Sequence, residues 1–178
     1  MLVSRHGECS GVEIEAPSGK IYTMTARHCM SLTEEGHIIS LKEGFEANGL
    51  MILGIDRNSD LMILESSSKY GIRIGKEDAH HIKIHTLTHG DGKPTYRTDG
   101  ELLGDEIIVS GSKGCRSNNC VSILLDTVST AAVLPGSSGG AVLDENGDLV
   151  GIVSALDTRA GFSYMVPLSS IQAFMADK

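Results

Sequence analysis

Short apolar runs separated by polar or glycine-containing turns dominate the chain. The first series comprises GVEIEA, KIYTMTARH, HIISLKEG, GLMILGID and DLMILES. The second series comprises HIKIHTLTHG, TYRTDGELLG, EIIVSG, VSILLDTVS, GAVL, LVGIVSAL and GFSYMVPL. Short runs bounded by turn residues are typical of strands rather than helices. The pattern therefore predicts an all-β protein with two antiparallel sheets or barrels of about six strands each.

The two series are separated by SSSKYGIRIGKEDAH, a polar and weakly patterned stretch that begins at residue 66. We therefore predict an N-terminal unit over residues 1–68, and a second unit over residues 69–178 that includes this linker. Within the second unit, Asn146-Gly147 predicts a hairpin turn. The final SSIQAFMADK predicts a short amphipathic helix with Ser169 or Ser170 as its N-cap.

The composition narrows the classes of partner. The 178 residues can bury a core, and that core must be mainly aliphatic because aromatics make up 4% of the chain and Trp is absent. The net charge is −8 and no basic patch stands out, which argues against nucleic acid and anionic membranes as partners. No apolar run is long enough to predict a membrane insertion, and MLVSRHGECSGVEIE lacks the apolar stretch of a secretory signal. The oligomeric state is not indicated.

Candidate chemistry centres on VLPGSSGGAVLDENGDLVGIVSA, residues 133–155. A Gly/Ser run such as Gly136 to Gly140 is usually a flexible loop between strands. Alternatively, Ser137 or Ser138 is a nucleophile, and its glycine neighbours let backbone N–H groups point at a substrate oxygen. A serine nucleophile needs a base beside it and an acid behind that base.

A base and two possible acids occur earlier in the chain. His28 ends an apolar strand in TMTARHCM, and Asp60 directly precedes the apolar strand LMIL. Asp56 lies four residues before Asp60 and is the competing acid. An aspartate beside LMIL would be partly buried and would need a charged or N–H partner, which a histidine at a strand end could supply.

The blocks TARHC, DLMIL and GSSGG…GIVS resemble, in this order, the three catalytic blocks of the trypsin-like (chymotrypsin-fold) serine peptidases. The resemblance covers nearly the whole chain, from about residue 9 to residue 167. That family places its nucleophile directly before Gly-Gly, which selects Ser138, and its acid directly before an apolar strand, which selects Asp60. The resemblance implies two six-stranded antiparallel β-barrels with the active site in the cleft between them, followed by a short C-terminal helix.

The resemblance also implies an activity and a role for each residue. The chain would be a serine endopeptidase that needs no cofactor, with a polypeptide substrate and an acyl-enzyme intermediate. Ser138 would be the nucleophile, His28 the general base and then acid, and Asp60 the group that orients the imidazole. The N–H groups of Gly136 and Ser138 would form the oxyanion hole. The alternative is a catalytically inactive binding module, against which the intact triad types and flanking glycines argue.

In this family, specificity comes from the segment before the nucleophile and the strand after it. The stretch TAAV, residues 130–133, has no acid where trypsin-like enzymes bind Lys or Arg. The resemblance assigns substrate contacts to Ala132, Val153, Ser154 and Ala155. Val153 stands where picornaviral main proteases carry the histidine that recognises Gln. A small or apolar residue at the cleavage position is therefore expected.

Cys9 in ECS and Cys29 in RHC resemble a cysteine pair of the same family, which makes them a candidate disulfide. Closing a loop of about 20 residues would contribute roughly 3 kcal/mol. The alternative is two buried thiols in a reducing compartment. Cys115 and Cys120 could close a small surface loop, since two ligands make a weak metal site. A bridge would indicate an extracellular or periplasmic protein, whereas a viral polyprotein protease would work in the host cytoplasm.

A histidine cluster, HHIKIHTLTH, offers an apparent metal site in which His81, His85 and His89 repeat every four residues. The alternation of apolar and polar residues in HIKIH indicates a strand instead. Residues four apart on a strand are separated by about 13 Å, too far to share one ion. We therefore expect no metal.

The end of the chain, GFSYMVPLSSI, resembles compact bacterial and viral members of the family more than digestive ones. This suits polyprotein or precursor processing, or a bacterial or phage housekeeping role. No PDZ-like extension follows, so an oligomeric quality-control protease is not expected. Ser137 carries no charge that could receive an N-terminal ammonium, so we expect no trypsin-style zymogen cut. Local packing and Pro135 would hold the oxyanion hole.

Overall fold

A computed structural model describes residues 2–4, 7–30, 33–34, 37–38, 46–47, 50–76, 81–90, 93–107, 126–157 and 161–178. Within these ranges the chain is mostly β, with one short 3-10 helix at Arg27–Met30 and one α-helix, α1, at Leu168–Met175. No helix in the described ranges combines the length and the apolar character that crossing a membrane requires.

Sixteen strands are present in the described part of the chain. Those before the linker are β1 (Leu2–Ser4), β2 (Gly7–Cys9), β3 (Val12–Glu15), β4 (Ile21–Ala26), β5 (Thr33–Glu34), β6 (His37–Ile38), β7 (Glu46–Ala47), β8 (Leu50–Asp56) and β9 (Leu61–Glu65). Those from the linker onward are β10 (Ile72–Arg73), β11 (Ile82–Gly90), β12 (Lys93–Ile107), β13 (Asp126–Ser129), β14 (Ala141–Leu143), β15 (Leu149–Asp157) and β16 (Phe162–Pro167).

The C-terminal half forms the closed six-stranded barrel that the sequence predicts. Its strand order is β11-β12-β13-β16-β15-β14, with β14 pairing back to β11 and every pair antiparallel. Burial alternates along β11, so the residues at every second position face the barrel interior. The barrel core consists of aliphatic side chains and one methionine: Ile84, Leu102, Ala131, Val133, Val142, Val150, Val153 and Met165.

The N-terminal half differs from the prediction, because its described strands form an open mixed sheet rather than a second closed barrel. The strand order is β10-β3-β4-β9-β8-β7, and β10 runs parallel to β3. The linker thus supplies an edge strand, where the sequence predicts only a connection. Gly71 permits this approach, since a Cβ there would lie 2.7 Å from the backbone nitrogen of Glu15. The prediction of two six-stranded antiparallel barrels was therefore wrong for the first half.

The two halves share one apolar core. Met24 and Ile63 of the N-terminal sheet belong to the same buried cluster as Ile152, Val166 and Ile171 of the C-terminal half. Burying such side chains contributes about 1.5–3 kcal/mol each, so this shared cluster stabilises the association of the halves as well as each half. The association of the two halves therefore rests on buried apolar side chains.

The C-terminal helix confirms the predicted element but not its start. It begins at Leu168, directly after Pro167, and no side chain caps it. Neither Ser169 nor Ser170 is the N-cap, because the apolar stripe formed by Leu168, Ile171 and Met175 takes the first turn into the core. The helix is tied to the linker by a hydrogen bond of 2.8 Å from Gln172 Nε2 to the carbonyl oxygen of Gly75.

The predicted hairpin at Asn146-Gly147 joins β14 to β15. The Asp144 carboxylate accepts the N–H groups of Asn146 and Asp148, each at 2.9 Å, and Gly147 has φ +81°. The positive φ explains the glycine. β14 follows the Gly/Ser run directly, and this tight hairpin turn brings β15 back beside β14.

Candidate active site

His28 and Asp60 are in direct contact. Asp60 Oδ2 lies 2.5 Å from His28 Nδ1, and Asp60 Oδ1 accepts the backbone N–H of His28 at 2.9 Å. The Asp60 side chain is fully buried, whereas the His28 side chain is 40% exposed. A buried carboxylate that accepts two hydrogen bonds is well suited to fix the orientation of one imidazole.

The local backbone explains why Asp60, and not Asp56, reaches the histidine. Asp60 ends the turn before β9 and has φ +55°, a left-handed conformation that Asp tolerates better than most residues. Its carbonyl accepts the N–H of Arg27 at 2.7 Å, which holds the turn against the end of β4. Asp56 instead accepts the N–H groups of Asn58 and Ser59 within the same turn, at 2.9 and 3.3 Å. The structure thus brings Asp60 to His28 and uses Asp56 to shape the turn.

Two arginines, Arg27 and Arg57, interact electrostatically near the Asp60 carboxylate. Burial lowers the pKa of the Arg27 guanidinium, the neighbouring Arg57 lowers it further, and the negative charge of Asp60 acts in the opposite direction. Arg27 keeps its positive charge at neutral pH despite this lowered pKa, because the guanidinium is strongly basic.

The two serines of the Gly/Ser run have different environments. Ser137 is 1% exposed, with its hydroxyl directed into the C-terminal half. Ser138 is half-buried, and its Oγ donates a hydrogen bond of 3.2 Å to the carbonyl of Ser154. Only the Ser138 hydroxyl is therefore placed where a substrate could meet it.

The residues before Ser138 form a tight turn. The Ser137 N–H donates to the carbonyl of Leu134 at 3.0 Å, and Gly136 has φ +94°. Proline at the second position and a positive-φ glycine at the third are the features of a type II turn. Within the described part of the chain, the N–H groups of Gly136 and Ser138 donate to no acceptor, so both are available to a ligand.

The nucleophile turn is bonded directly to the N-terminal half. The carbonyl of Ser138 accepts the N–H of Ser10 at 2.8 Å, and the carbonyl of Ser10 accepts the Thr25 hydroxyl at 2.7 Å. Gly139, with φ +84°, has no room for a side chain, because a Cβ there would overlap the Ser10 carbonyl and the Thr25 hydroxyl. These contacts fix Ser138 relative to the strand that leads into His28.

Gly139→Ala is expected to lower stability by at least about 3 kcal/mol, a fall in Tm of roughly 6–12 °C, because the added methyl group separates the halves and the positive φ becomes strained. Gly147→Ala is the matched control, since Gly147 has a similar φ of +81° but open space around it. Gly147→Ala should lower the free energy of unfolding by only about 1 kcal/mol. Equal losses in thermal denaturation would contradict the packing role of Gly139.

The residues predicted to contact substrate lie around a bulge in β15. Val153 pairs with Met165 and Ala155 pairs with Tyr164, which leaves Ser154 outside the strand ladder. The Ser154 carbonyl accepts the hydrogen bond from Ser138 Oγ. The buried Ser154 hydroxyl has no hydrogen-bond partner within the described ranges.

The other residues predicted to contact substrate differ in exposure. Ala155 is half-buried, Ala132 is exposed, and Val153 is 1% exposed with its side chain in the barrel core. The backbone of Val153, rather than its side chain, meets the nucleophile turn by bonding Gly139 and Gly140.

Cys9 and Cys29 are joined by a disulfide, with their Cα atoms 5.9 Å apart. The bridge connects the residue before Ser10 to the residue after His28, so it ties the segment that holds Ser138 to the one that carries the histidine. Cys115 and Cys120, for which a second loop was predicted, lie outside the described residues.

Peptide mapping of unreduced protein made under oxidising conditions should recover the peptides of Cys9 and Cys29 linked to each other. Reduction should then lower the free energy of unfolding by about 3 kcal/mol. Denaturant titration with and without reductant measures this change. Free alkylation of both thiols in folded, unreduced protein would contradict the pairing.

The predicted strand containing the histidine cluster is confirmed, since β11 carries His85 and His89 and His81 precedes it. His89 is engaged with Thr95, whose hydroxyl lies 2.9 Å from Nε2, and His81 lies 3.6 Å from a carboxylate oxygen of Glu101. Among the described residues no three histidine, cysteine or acidic side chains come together as metal ligands.

Some residues that shape the site carry no signal in the sequence. The Ser10 hydroxyl lies 3.1 Å from the carbonyl oxygens of both His89 and Gly136, and it accepts the His89 N–H at 2.8 Å. The Tyr96 hydroxyl lies 2.7 Å from Ser137 Oγ. These contacts join positions 41 to 126 residues apart, which no local motif reveals.

Comparison with known families identifies the class of protein to which this fold belongs. Residues 9–152 match the trypsin-like peptidase domain. The chain belongs to that family, as the resemblance of its three sequence blocks predicts.

Individual relatives are bacterial proteases of the HtrA type. The Do-like serine protease HtrA of Bacillus subtilis (strain 168) is 26% identical over 176 residues, which cover 93% of this chain and 38% of the relative. An alanine variant of Rv3671c from M. tuberculosis H37Rv, in its inactive form, is similar with a TM-score of 0.70 and 17% identity, over 98% of this chain and 82% of that one. The structure of the HtrA-type protease AlgW with a decapeptide is similar with a TM-score of 0.62 and 18% identity. The match covers 95% of this chain and 52% of that one.

These comparisons decide between the bacterial and viral alternatives that the sequence left open. They support the bacterial and not the viral alternative, and the relatives are of the HtrA type that the sequence did not lead us to expect. The solved structures, all at low identity, show the chymotrypsin-type fold alone. The chain spans little more than a third of the B. subtilis relative, so the activity of such whole proteins bears on this chain only through a proposal.

Proposed function

We propose that this chain is a serine endopeptidase in which Ser138, His28 and Asp60 form the catalytic triad. The observation that carries the proposal is the contact between the buried Asp60 carboxylate and His28 Nδ1, in a structure where the Ser138 carbonyl lies 3.6 Å from the Sγ of the adjacent Cys29. When Nδ1–H donates to Asp60, Nε2 is left as a proton acceptor. That is the tautomer that a general base requires.

In the proposed first step, Ser138 Oγ attacks the carbonyl carbon of the scissile peptide and its proton passes to His28 Nε2. The C=O π bond opens, and its electron pair becomes a negative charge on the carbonyl oxygen. Asp60 stabilises the imidazolium without itself taking the proton. The Oγ must leave the Ser154 carbonyl for this, so substrate binding and activation of the serine are linked.

The proposed oxyanion hole consists of the N–H groups of Gly136 and Ser138. Both lack acceptors within the described residues, and the turn that holds them is already formed. Donors held in place in this way stabilise the developing charge without reorganising during the reaction. One such donor typically contributes about 10²–10³ in rate.

The intermediate then collapses to an acyl-enzyme. The C–N bond breaks, and His28 gives its proton to the departing amine. Water, activated by the same imidazole, next attacks the ester carbonyl, and Ser138 recovers its proton as the acid product leaves. No cofactor takes part in these steps.

For the substrate we propose a polypeptide whose residue at the cleavage position is small or apolar. Ala132, Ser154 and Ala155, the residues expected to contact substrate, have small side chains, and AlgW, with a similar fold, has been solved with a decapeptide. The β15 bulge leaves Ser154 outside the strand ladder, which suits pairing of this segment with an extended peptide backbone. Of the roles considered from the sequence, bacterial relatives favour a bacterial protease over polyprotein processing in a host cell.

Cleavage of a peptide library, read by mass spectrometry, tests the proposed function. The folded protein should generate new termini that follow small or apolar residues, and Ser138→Ala should generate none above background. A folded wild type that cleaves no member of the library would favour the alternative, a binding module that has lost activity.

A further inference from the structure

The residue before the proposed nucleophile is neutral and buried, although trypsin-type enzymes use a charged residue there to hold the oxyanion turn. Ser137 is 1% exposed and lies under the turn that presents Gly136. A buried hydroxyl needs hydrogen-bond partners, just as a buried aspartate needs a cation. The partners of Ser137 therefore show what holds the turn in this chain.

Three hydroxyl groups meet beneath the turn, and we call Thr88, Tyr96 and Ser137 the hydroxyl cluster. Ser137 Oγ lies 2.7 Å from the Tyr96 hydroxyl and donates to Thr88 Oγ1 at 3.2 Å. The Leu134 N–H, which opens the turn, points at both the Tyr96 hydroxyl and Ser137 Oγ, each at 3.1 Å. The Tyr96 hydroxyl, the Ser137 hydroxyl and the Leu134 N–H each have a partner in this set, and no charge is required.

The cluster rests on rigid structure. Thr88 and Tyr96 are direct partners across β11 and β12, so their side chains share one face of the barrel wall. Thr88 is 1% exposed and Tyr96 is half-buried. The barrel wall is thus bonded to the first and last residues of the turn.

Gly90 shows which orientation of the turn this arrangement favours. A Cβ at Gly90 would lie 2.9 Å from the carbonyl oxygen of Pro135, so that carbonyl points toward β11. The N–H of Gly136 belongs to the same peptide plane and points the opposite way. Rotation of this peptide plane by half a turn would remove the N–H from the proposed oxyanion hole.

We propose that the hydroxyl cluster holds the oxyanion turn in its working orientation, and that Tyr96 is its principal positioning residue. This inference rests on the proposed function for its kinetic consequences, although the geometry of the turn does not depend on activity. Tyr96 acts through Leu134 and Ser137 and touches no reacting atom.

Tyr96→Phe removes one oxygen and keeps the ring. We expect kcat to fall about tenfold, as for loss of one neutral hydrogen bond, with KM within twofold. The affinity for a peptidyl boronic acid, which binds as a tetrahedral adduct of Ser138 with an oxygen in the oxyanion hole, should fall in parallel. The affinity for the same peptide ending in a carboxamide should not change, nor should the acid limb of the pH–rate profile.

Tyr70→Phe is the matched control, since Tyr70 lies in the linker and is 84% exposed. It should leave kcat and boronate affinity unchanged. Ser137→Ala should resemble Tyr96→Phe, because it removes the other acceptor of the Leu134 N–H. The two kcat losses should not be additive, since the variants disrupt the same set of bonds.

Amide hydrogen exchange tests the cluster without relying on catalysis. In Tyr96→Phe/Ser137→Ala the Leu134 N–H loses both acceptors, and its exchange should accelerate at least about tenfold. Unchanged exchange in the double variant, or wild-type kcat and boronate affinity in Tyr96→Phe, would overturn the inference. If exchange accelerates in the double variant but the wild type cleaves nothing, the proposed function is overturned and the hydroxyl cluster is retained.

Discussion

Ser138→Ala is expected to reduce turnover by roughly 10⁵–10⁶-fold, to the background left by the rest of the site. The change removes the only atom that forms the acyl bond in the proposed mechanism. The free energy of unfolding should change by less than about 1 kcal/mol, because the lost hydroxyl is half-buried and has one hydrogen bond, to the Ser154 carbonyl. Steady-state kinetics and thermal denaturation of the same preparation separate the two effects.

Ser137→Ala distinguishes the two neighbouring serines. The Ser137 hydroxyl lies under the turn, so removing it should lower kcat about tenfold. This is the effect expected from the loss of one hydrogen bond of the hydroxyl cluster. If Ser137→Ala were the inactive variant and Ser138→Ala retained turnover, the nucleophile would be misassigned. The size of the gap, about four orders of magnitude, leaves little room for ambiguity.

Asp60→Asn is the second large effect, with an expected loss of about 10⁴-fold in kcat. The amide can donate to His28 Nδ1, which favours the tautomer whose Nε2 already carries a proton and cannot act as a base. Asn tolerates the left-handed backbone, with φ +55° at this position, and has nearly the same volume, so the fold should survive. A loss in kcat with an unchanged Tm would therefore report on the histidine alone.

Asp56→Asn is the matched control, because it makes the same chemical change in the same turn. Asp56 accepts two backbone N–H groups, and an amide oxygen can accept both. Its kcat should stay within about threefold of the wild type, as for a substitution that keeps its hydrogen bonds. The reverse ranking of Asp56→Asn and Asp60→Asn would assign the triad acid to Asp56.

Local patterns in the sequence predict much of this structure because local chemistry determines it. Alternating burial predicts β11, and Asn146-Gly147 predicts the hairpin that returns β15 to the nucleophile turn. The apolar strand after Asp60 predicts a buried carboxylate. The division of the chain at residues 68 and 69 stays a prediction.

The features that the sequence did not predict depend on contacts distant along the chain. The parallel pairing of β10 with β3 depends on a close backbone approach at Gly71, which looks like an ordinary linker glycine. Tyr96 resembles any strand tyrosine until the barrel closes and places it beneath Ser137. Because barrel closure and edge pairing are set by tertiary packing, local propensity could not reveal them.

The most direct test of the central claim is covalent labelling with a fluorophosphonate, which reacts only with an activated serine and needs no knowledge of the substrate. Ser138 Oγ displaces fluoride from phosphorus, and peptide mapping by mass spectrometry locates the adduct. We expect stoichiometric labelling of folded wild type at Ser138, and no labelling of Ser138→Ala or of unfolded protein. An unlabelled folded wild type, or an adduct on Ser137, would contradict the assignment of Ser138 as the nucleophile of a working triad.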